Sequence, residues 1–178
     1  MYENKISGST VIIDGSNVAL YGLKNSHQKK AVLNNILKVV NKLNELKASE
    51  IITICDANIR YLIDDTEKFN QMVANRKLII SPSGIKADTF ILDYAREKNC
   101  LIVSNDKFRD YRHDNWIGNN IDNITLGFIF VGDDVMLEPV NGNKKLKKKT
   151  IEKKQSHWWH FFPGHLWNIQ TIMSLQGK

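Results

Sequence analysis

Cysteine is scarce, with only Cys55 and Cys100 in 178 residues. Each lies inside an apolar run, IITIC or NCLIV. There a thiol is expected to be a small buried hydrophobe rather than half of a disulfide or a metal ligand. The histidines give no zinc pattern, because His157, His160 and His165 have no cysteine nearby. No run of about 18 apolar residues exists, which excludes a membrane-spanning helix on length. The opening MYENKISGST lacks the apolar stretch of a secretion signal, so a cytoplasmic location is the expectation. No internal repeat recurs at a fixed period. Hydrophobic residues make up 42% of the chain and charged residues 25%, a balance that lets a core form without covalent staples.

Charge is unevenly spread. The net value is +6, and residues 144–154 alone hold seven lysines against one glutamate. The rest of the chain is therefore formally neutral. A lysine run of this kind either attracts polyanions by counterion release or serves as a solvated linker. Beyond it, HWWHFFPGHLWNIQTIMSL is strongly aromatic. Its rings could stack on unpaired bases, fold back as core, or dock on a partner or membrane surface.

Up to about residue 131, two kinds of segment alternate. TVIID, EIITIC, KLIIS, CLIVS and TLGFIFV are short, β-branched and apolar, as expected of strands buried on both faces. Helical spacing appears over 29–47, 65–75 and 87–98, with Asp64 or Asp65 supplying a cap for the second. Gly132-Asp133-Asp134 reads as a turn into the edge segment VMLEP. Such alternation predicts a three-layer α/β/α fold around a mainly parallel central sheet.

Open parallel sheets bind ligands beyond the carboxyl ends of their strands, and aspartates recur at that edge. Asp14 ends TVIID, Asp56 follows IITIC, and Asp106 stands three residues past LIV. Asp88 shares a helix face with Ile91, Leu92 and Ala95, so it points toward the sheet. Asp110 shares a face with Asp106 if SNDKFRD opens a helix. Two bare charges about 5 Å apart repel by roughly 3 kcal/mol at an effective dielectric of about 20. Several such pairs rival the typical stability of a domain, about 5–15 kcal/mol. Protons or cations must neutralise them, and an all-oxygen set points to Mg²⁺ or Mn²⁺ rather than zinc. Such ions activate water and steady a leaving oxygen, as phosphodiester hydrolysis requires.

IIDGSNVA and KADTFILDYAREKNCLIVSNDKFRD, with the later IFVGDDVMLEP, resemble the NYN branch of the PIN-like nucleases, close to the Zc3h12a-type ribonuclease domain. The resemblance spans roughly residues 10–139. It implies a PIN-like (NYN) domain over residues 1–142, with 143–178 as a lysine-rich connector and aromatic segment. It also implies Asp14, Asp88 and Asp106 as metal ligands, Asp110 as a fourth acid, and endonucleolytic cleavage of single-stranded RNA. Relatives often carry two adjacent acids before the helix at 87–98, whereas here the first position is Ala87. No CCCH zinc finger follows.

Around these acids, Asn17 could orient Asp14 or the scissile phosphate, or cap a helix. Ser104 and Asn105 could orient Asp106 or contact substrate, or simply shape the turn. Arg60, Lys86, Lys107, Arg109 and Arg112 could hold phosphates. Asp56 has a turn-forming role as its alternative. Two other functions stay open: an RNA-binding module on the same fold without catalysis, and a DNA-cutting PIN-like nuclease. An aspartyl-phosphate phosphatase fits less well, because it needs an aspartate where this chain has Ser16. No residue pattern fixes the oligomeric state, and a dimer remains open.

Overall fold

The β-branched runs do become strands, and they form one six-stranded sheet in the order β3-β2-β1-β4-β5-β6. The structure, a computed structural model, describes residues 3–23 and 30–139; the lysine run and the aromatic segment lie outside the described residues. Central strand β1 (Thr10–Asp14) pairs in parallel with β2 (Glu50–Cys55) on one side and β4 (Leu101–Val103) on the other. Outward from these, β3 (Ile79–Ile80) joins β2 and β5 (Thr125–Val131) joins β4, both in parallel. β6 (Asp134–Pro139) closes the row antiparallel to β5.

Strand alternation divides the core between two faces. Val11 and Ile13 of β1 join a cluster with Val18, Ala19, Ile36 and Leu43, while Ile12 between them is buried on the other side. On the first side lie α2 (Gly15–Ala19) and α3 (Leu33–Glu45). On the second, α5 (Ala87–Lys98) packs across β1, β2 and β4 with Ile91, Leu92 and Ala95 buried. The expected three layers are therefore present. α1 (Glu3–Ile6) buries only Ile6.

Local rules set the helix boundaries. Leu33, Ile36, Val39 and Leu43 form the buried stripe of α3. Val32 offers its first turn no side-chain cap, and Asp64 accepts the Leu33 N–H instead at 2.9 Å. Asp65 caps α4 (Thr66–Ala74) by accepting from the Lys68 N–H. The two neighbouring acids thus serve two different helices.

Three expectations need correction. KLIIS contributes only Ile79 and Ile80 to the sheet. β5 is not buried on both faces along its length: Thr125 is buried, but Ile129 and Val131 are exposed where the strand runs past β4 and pairs only with β6. α6 (Asn115–Ile124) has no counterpart among the expected helices, since its buried stripe is only Ile117 and Ile121 within an asparagine-rich stretch. No helix among the described residues is long and apolar enough to cross a membrane.

Candidate active site

After β1 the chain departs to β2 and β3 on one side and returns to β4 on the other, so the strand order reverses between β1 and β4. A crevice is expected at that reversal, beyond the carboxyl ends. Asp14 stands there, only 4% exposed. Its Oδ1 accepts the Asn17 N–H at 3.1 Å, making it the cap of α2. Its Oδ2 accepts the Ser104 hydroxyl at 2.8 Å. Gly15 lets the chain pass close against β2, because a Cβ there would collide with the Cys55 Sγ and stand 2.9 Å from the Thr53 Cγ2.

Ser104 is fully buried and links two of the acids. While donating to Asp14 it accepts the Asp106 N–H at 3.0 Å. Exposed Asn105 is held at the end of the sheet: its side-chain amide donates to the Phe128 carbonyl and accepts the Phe128 N–H. The Asn105 N–H donates to the Asn17 Oδ1 at 2.9 Å. Asn17 therefore ties the turn after β1 to the turn after β4.

SNDKFRD does not open an α-helix. The Asp106 Oδ1 accepts the Phe108 N–H at 2.8 Å, and Phe108 takes a left-handed conformation at φ 47 before a 3₁₀ turn over Arg109–Tyr111. A shared helix face consequently does not relate Asp106 to Asp110. Asp110 is placed by its turn, where the Tyr111 hydroxyl meets the Thr89 hydroxyl of α5 at 3.5 Å and the His113 Nδ1 meets the Asp110 carbonyl at 2.9 Å.

Asp56 does more than form a turn. Its backbone N–H donates to the Ser16 hydroxyl at 2.8 Å, and its Oδ1 accepts the Ala87 N–H at 2.9 Å. Lys86, the residue before α5, provides no side-chain cap, so the acid from the end of β2 takes that place. Asp56 thereby holds the first turn of the helix that carries Asp88. Its location immediately after a strand was the available sign of this role; the long-range partner was not visible.

The acids lie near enough to perturb one another's charge. Burial pushes the Asp14 carboxyl up to about 7 against the opposing pull of its two hydrogen bonds, and the charges of Asp88 and Asp56 raise it further. Asp88 is raised first by desolvation, then by Asp106, Asp56 and Asp110, with Lys86 acting in the opposite direction. Three strand ends and one helix start deliver carboxylates to one electrostatic neighbourhood. All the donors are hard oxygens, the chemistry that Mg²⁺ or Mn²⁺ accepts. Among the described residues, however, no three acidic, histidine or cysteine side chains stand close enough to hold one ion.

Of the basic candidates, Arg60, Lys86, Lys107 and Arg109 are exposed. Arg112 is committed elsewhere. Its guanidinium pairs with Asp122, the Nη1 contact being 3.1 Å, and its Nε donates to the Lys107 carbonyl. It braces the loop through these contacts.

Comparison with known proteins adds three findings. The family model for the Zc3h12a-like ribonuclease NYN domain matches residues 7–153. Two structures of the nuclear protein-only RNase P 2 of Arabidopsis thaliana superpose with TM-scores of 0.59 and 0.58, at 20% and 21% identity. They cover 72% and 79% of this chain but 29% and 32% of their own, so the chain spans less than a third of either, and the likeness is one of fold. No curated protein sequence matches significantly.

Proposed function

The chain belongs to the Zc3h12a-like ribonuclease NYN domain family, and from that premise we propose that it cuts single-stranded RNA internally by divalent-metal-assisted hydrolysis. The observation that carries this reading is Asp14, a buried carboxyl at the strand-order reversal, raised to about 7 by burial and by neighbouring acids. Its role as the cap of α2 could be filled by a neutral residue, whereas a cation site would use the charge itself.

In this reading Asp14, Asp88, Asp106 and Asp110 would hold Mg²⁺ or Mn²⁺ through their carboxylate oxygens. When bound, the cation lowers the pKa of a water and offsets charge on the leaving oxygen. Ser104 fixes Asp14 and the start of the Asp106 turn through one hydroxyl. Asn17 holds that turn through the Asn105 N–H. Asp56 orients Asp88 by securing the first turn of α5. Lys86, Lys107 and Arg109 flank these acids and are free to meet phosphates.

The test is incubation of the full chain with labelled single-stranded RNA, duplex RNA and single-stranded DNA, with Mg²⁺, Mn²⁺ or chelator. Internal cleavage of the single-stranded RNA is expected with metal and not with chelator. Asp106→Asn should lower it by roughly a hundredfold or more, since even outer-shell partners of a metal site are worth about 10–100-fold. Tight binding of RNA that stays intact under every condition would turn the reading toward a binding module. Preferential cutting of DNA would correct the substrate.

A further inference from the structure

Tyr61 is 81% exposed, the most exposed of the large hydrophobic residues among those described. Exposed apolar residues are not unusual singly, but the location and support of this one are. Leu20, Tyr61, Leu62 and Ile85 are all exposed, and all lie in the segments that leave β1, β2 and β3 at the carboxyl edge. That is the edge that carries the acids. Tyr61 ends the 3₁₀ turn Ala57–Tyr61 that begins directly after Asp56. At about 2 Å of rise per residue its backbone lies roughly 10 Å from that acid.

The ring stands on a fixed base. Buried Ile59 and Ile63 anchor the chain on either side. The Leu62 and Ile63 N–H groups both donate to the Ile59 carbonyl, and the Leu62 carbonyl accepts the Ala31 N–H at 2.8 Å. Ala31 and Ile63 also form a parallel bridge. The Tyr61 side chain enters no hydrogen bond or ring contact among the described residues. Nearby Asp64 and Asp65 have their carboxylates engaged at helix starts, and Arg60 next to the ring is exposed.

We propose that Tyr61 is a stacking platform for one unpaired base of the RNA, on the strand edge that carries the acids, with Arg60 beside it for the backbone. A rigid ring favours single strands of any sequence, because every base presents a π-face but a paired base cannot turn onto the ring. The proposal rests on the RNA-cutting reading and assigns it a source of strand preference.

The experiment uses the full chain with Tyr61→Ala and Tyr61→Phe, and a labelled oligouridylate in which one nucleotide at a time is abasic. Binding is read by fluorescence anisotropy in chelator and cleavage by single-turnover kinetics with Mn²⁺. Tyr61→Ala should weaken binding by roughly five- to a hundredfold, the range of one stacked base, with the cleavage rate at saturation little changed, and Tyr61→Phe should retain affinity. One abasic position should cost the wild-type protein the same factor and cost Tyr61→Ala nothing more. Equal binding by wild type and Tyr61→Ala overturns the proposal, as does an abasic penalty that ignores Tyr61 at every position, or failure of the wild-type chain to bind RNA at all. Tyrosine-dependent binding without cleavage would sink the nuclease reading and leave the platform standing. Cleavage without tyrosine dependence would do the reverse.

Discussion

Asp14 is bound by groups that favour its charge and surrounded by a medium that opposes it. The Asn17 N–H and Ser104 hydroxyl support the carboxylate, yet desolvation outweighs them and the pKa rises from 3.8 to about 7. The folded chain thus holds this proton more tightly than the unfolded one. Stability from this group is fully present below the unfolded value near 4 and is lost as pH rises through about 7. A shift of about three units corresponds to roughly 4 kcal/mol. Without metal, Asp14→Asn should therefore gain on the wild type as pH rises, from little difference at pH 4 to at most about 4 kcal/mol above pH 7. Urea denaturation in chelator at several pH values reads this directly, and a pH-independent difference would contradict the assignment. Cation binding must also displace the proton, so less Mn²⁺ should be needed at pH 8 than at pH 6.

The elements explain why some of the site could be read from residues and some could not. Asp14 lies at a strand end and Asp88 on the inward face of a helix, and both positions follow from local periodicity. The Asp106–Asp110 relation failed because Phe108 adopts a left-handed backbone, which spacing does not encode for a non-glycine residue. Asp56 was ambiguous because its partner, the Ala87 N–H, lies 31 residues away. The pairing of the Asn105 amide with Phe128 spans 23 residues and has no local sign in the sequence either. Gly15 depends on contacts of the same long-range kind. Its missing side chain lets β1 turn against Cys55 and Thr53, and a methyl group would also meet the Ile54 carbonyl at 3.2 Å. Gly15→Ala should cost about 1–3 kcal/mol, the usual range for overpacking, and displace Asp14 enough to lower cleavage further than stability alone explains. Activity measured well below the melting temperature separates these two effects, and full activity there would show that the close approach is not needed.

At the scale of the whole molecule, the site poses an electrostatic difficulty that the described residues relieve only in part. In the proposed reading the acids repel the phosphates they would meet, and outside residues 144–154 the chain is formally neutral. That lysine run carries all of the net charge, and the family match extends through most of it, to residue 153. If the run captures RNA, its contribution must be electrostatic and independent of base sequence. Each phosphate contact on a single strand adds about 0.7 to the slope of log affinity against log salt. Seven lysines would then account for a slope of up to roughly 5. Deleting residues 144–154 should weaken RNA binding strongly at about 50 mM salt and hardly at all near the several-hundred-millimolar range where counterion release is exhausted. The cleavage rate at saturating RNA should persist, because the deletion leaves the four acids in place. Binding isotherms at four salt concentrations supply both slopes. Parallel lines would assign the run to a linker and leave Lys86, Lys107 and Arg109 to overcome the repulsion.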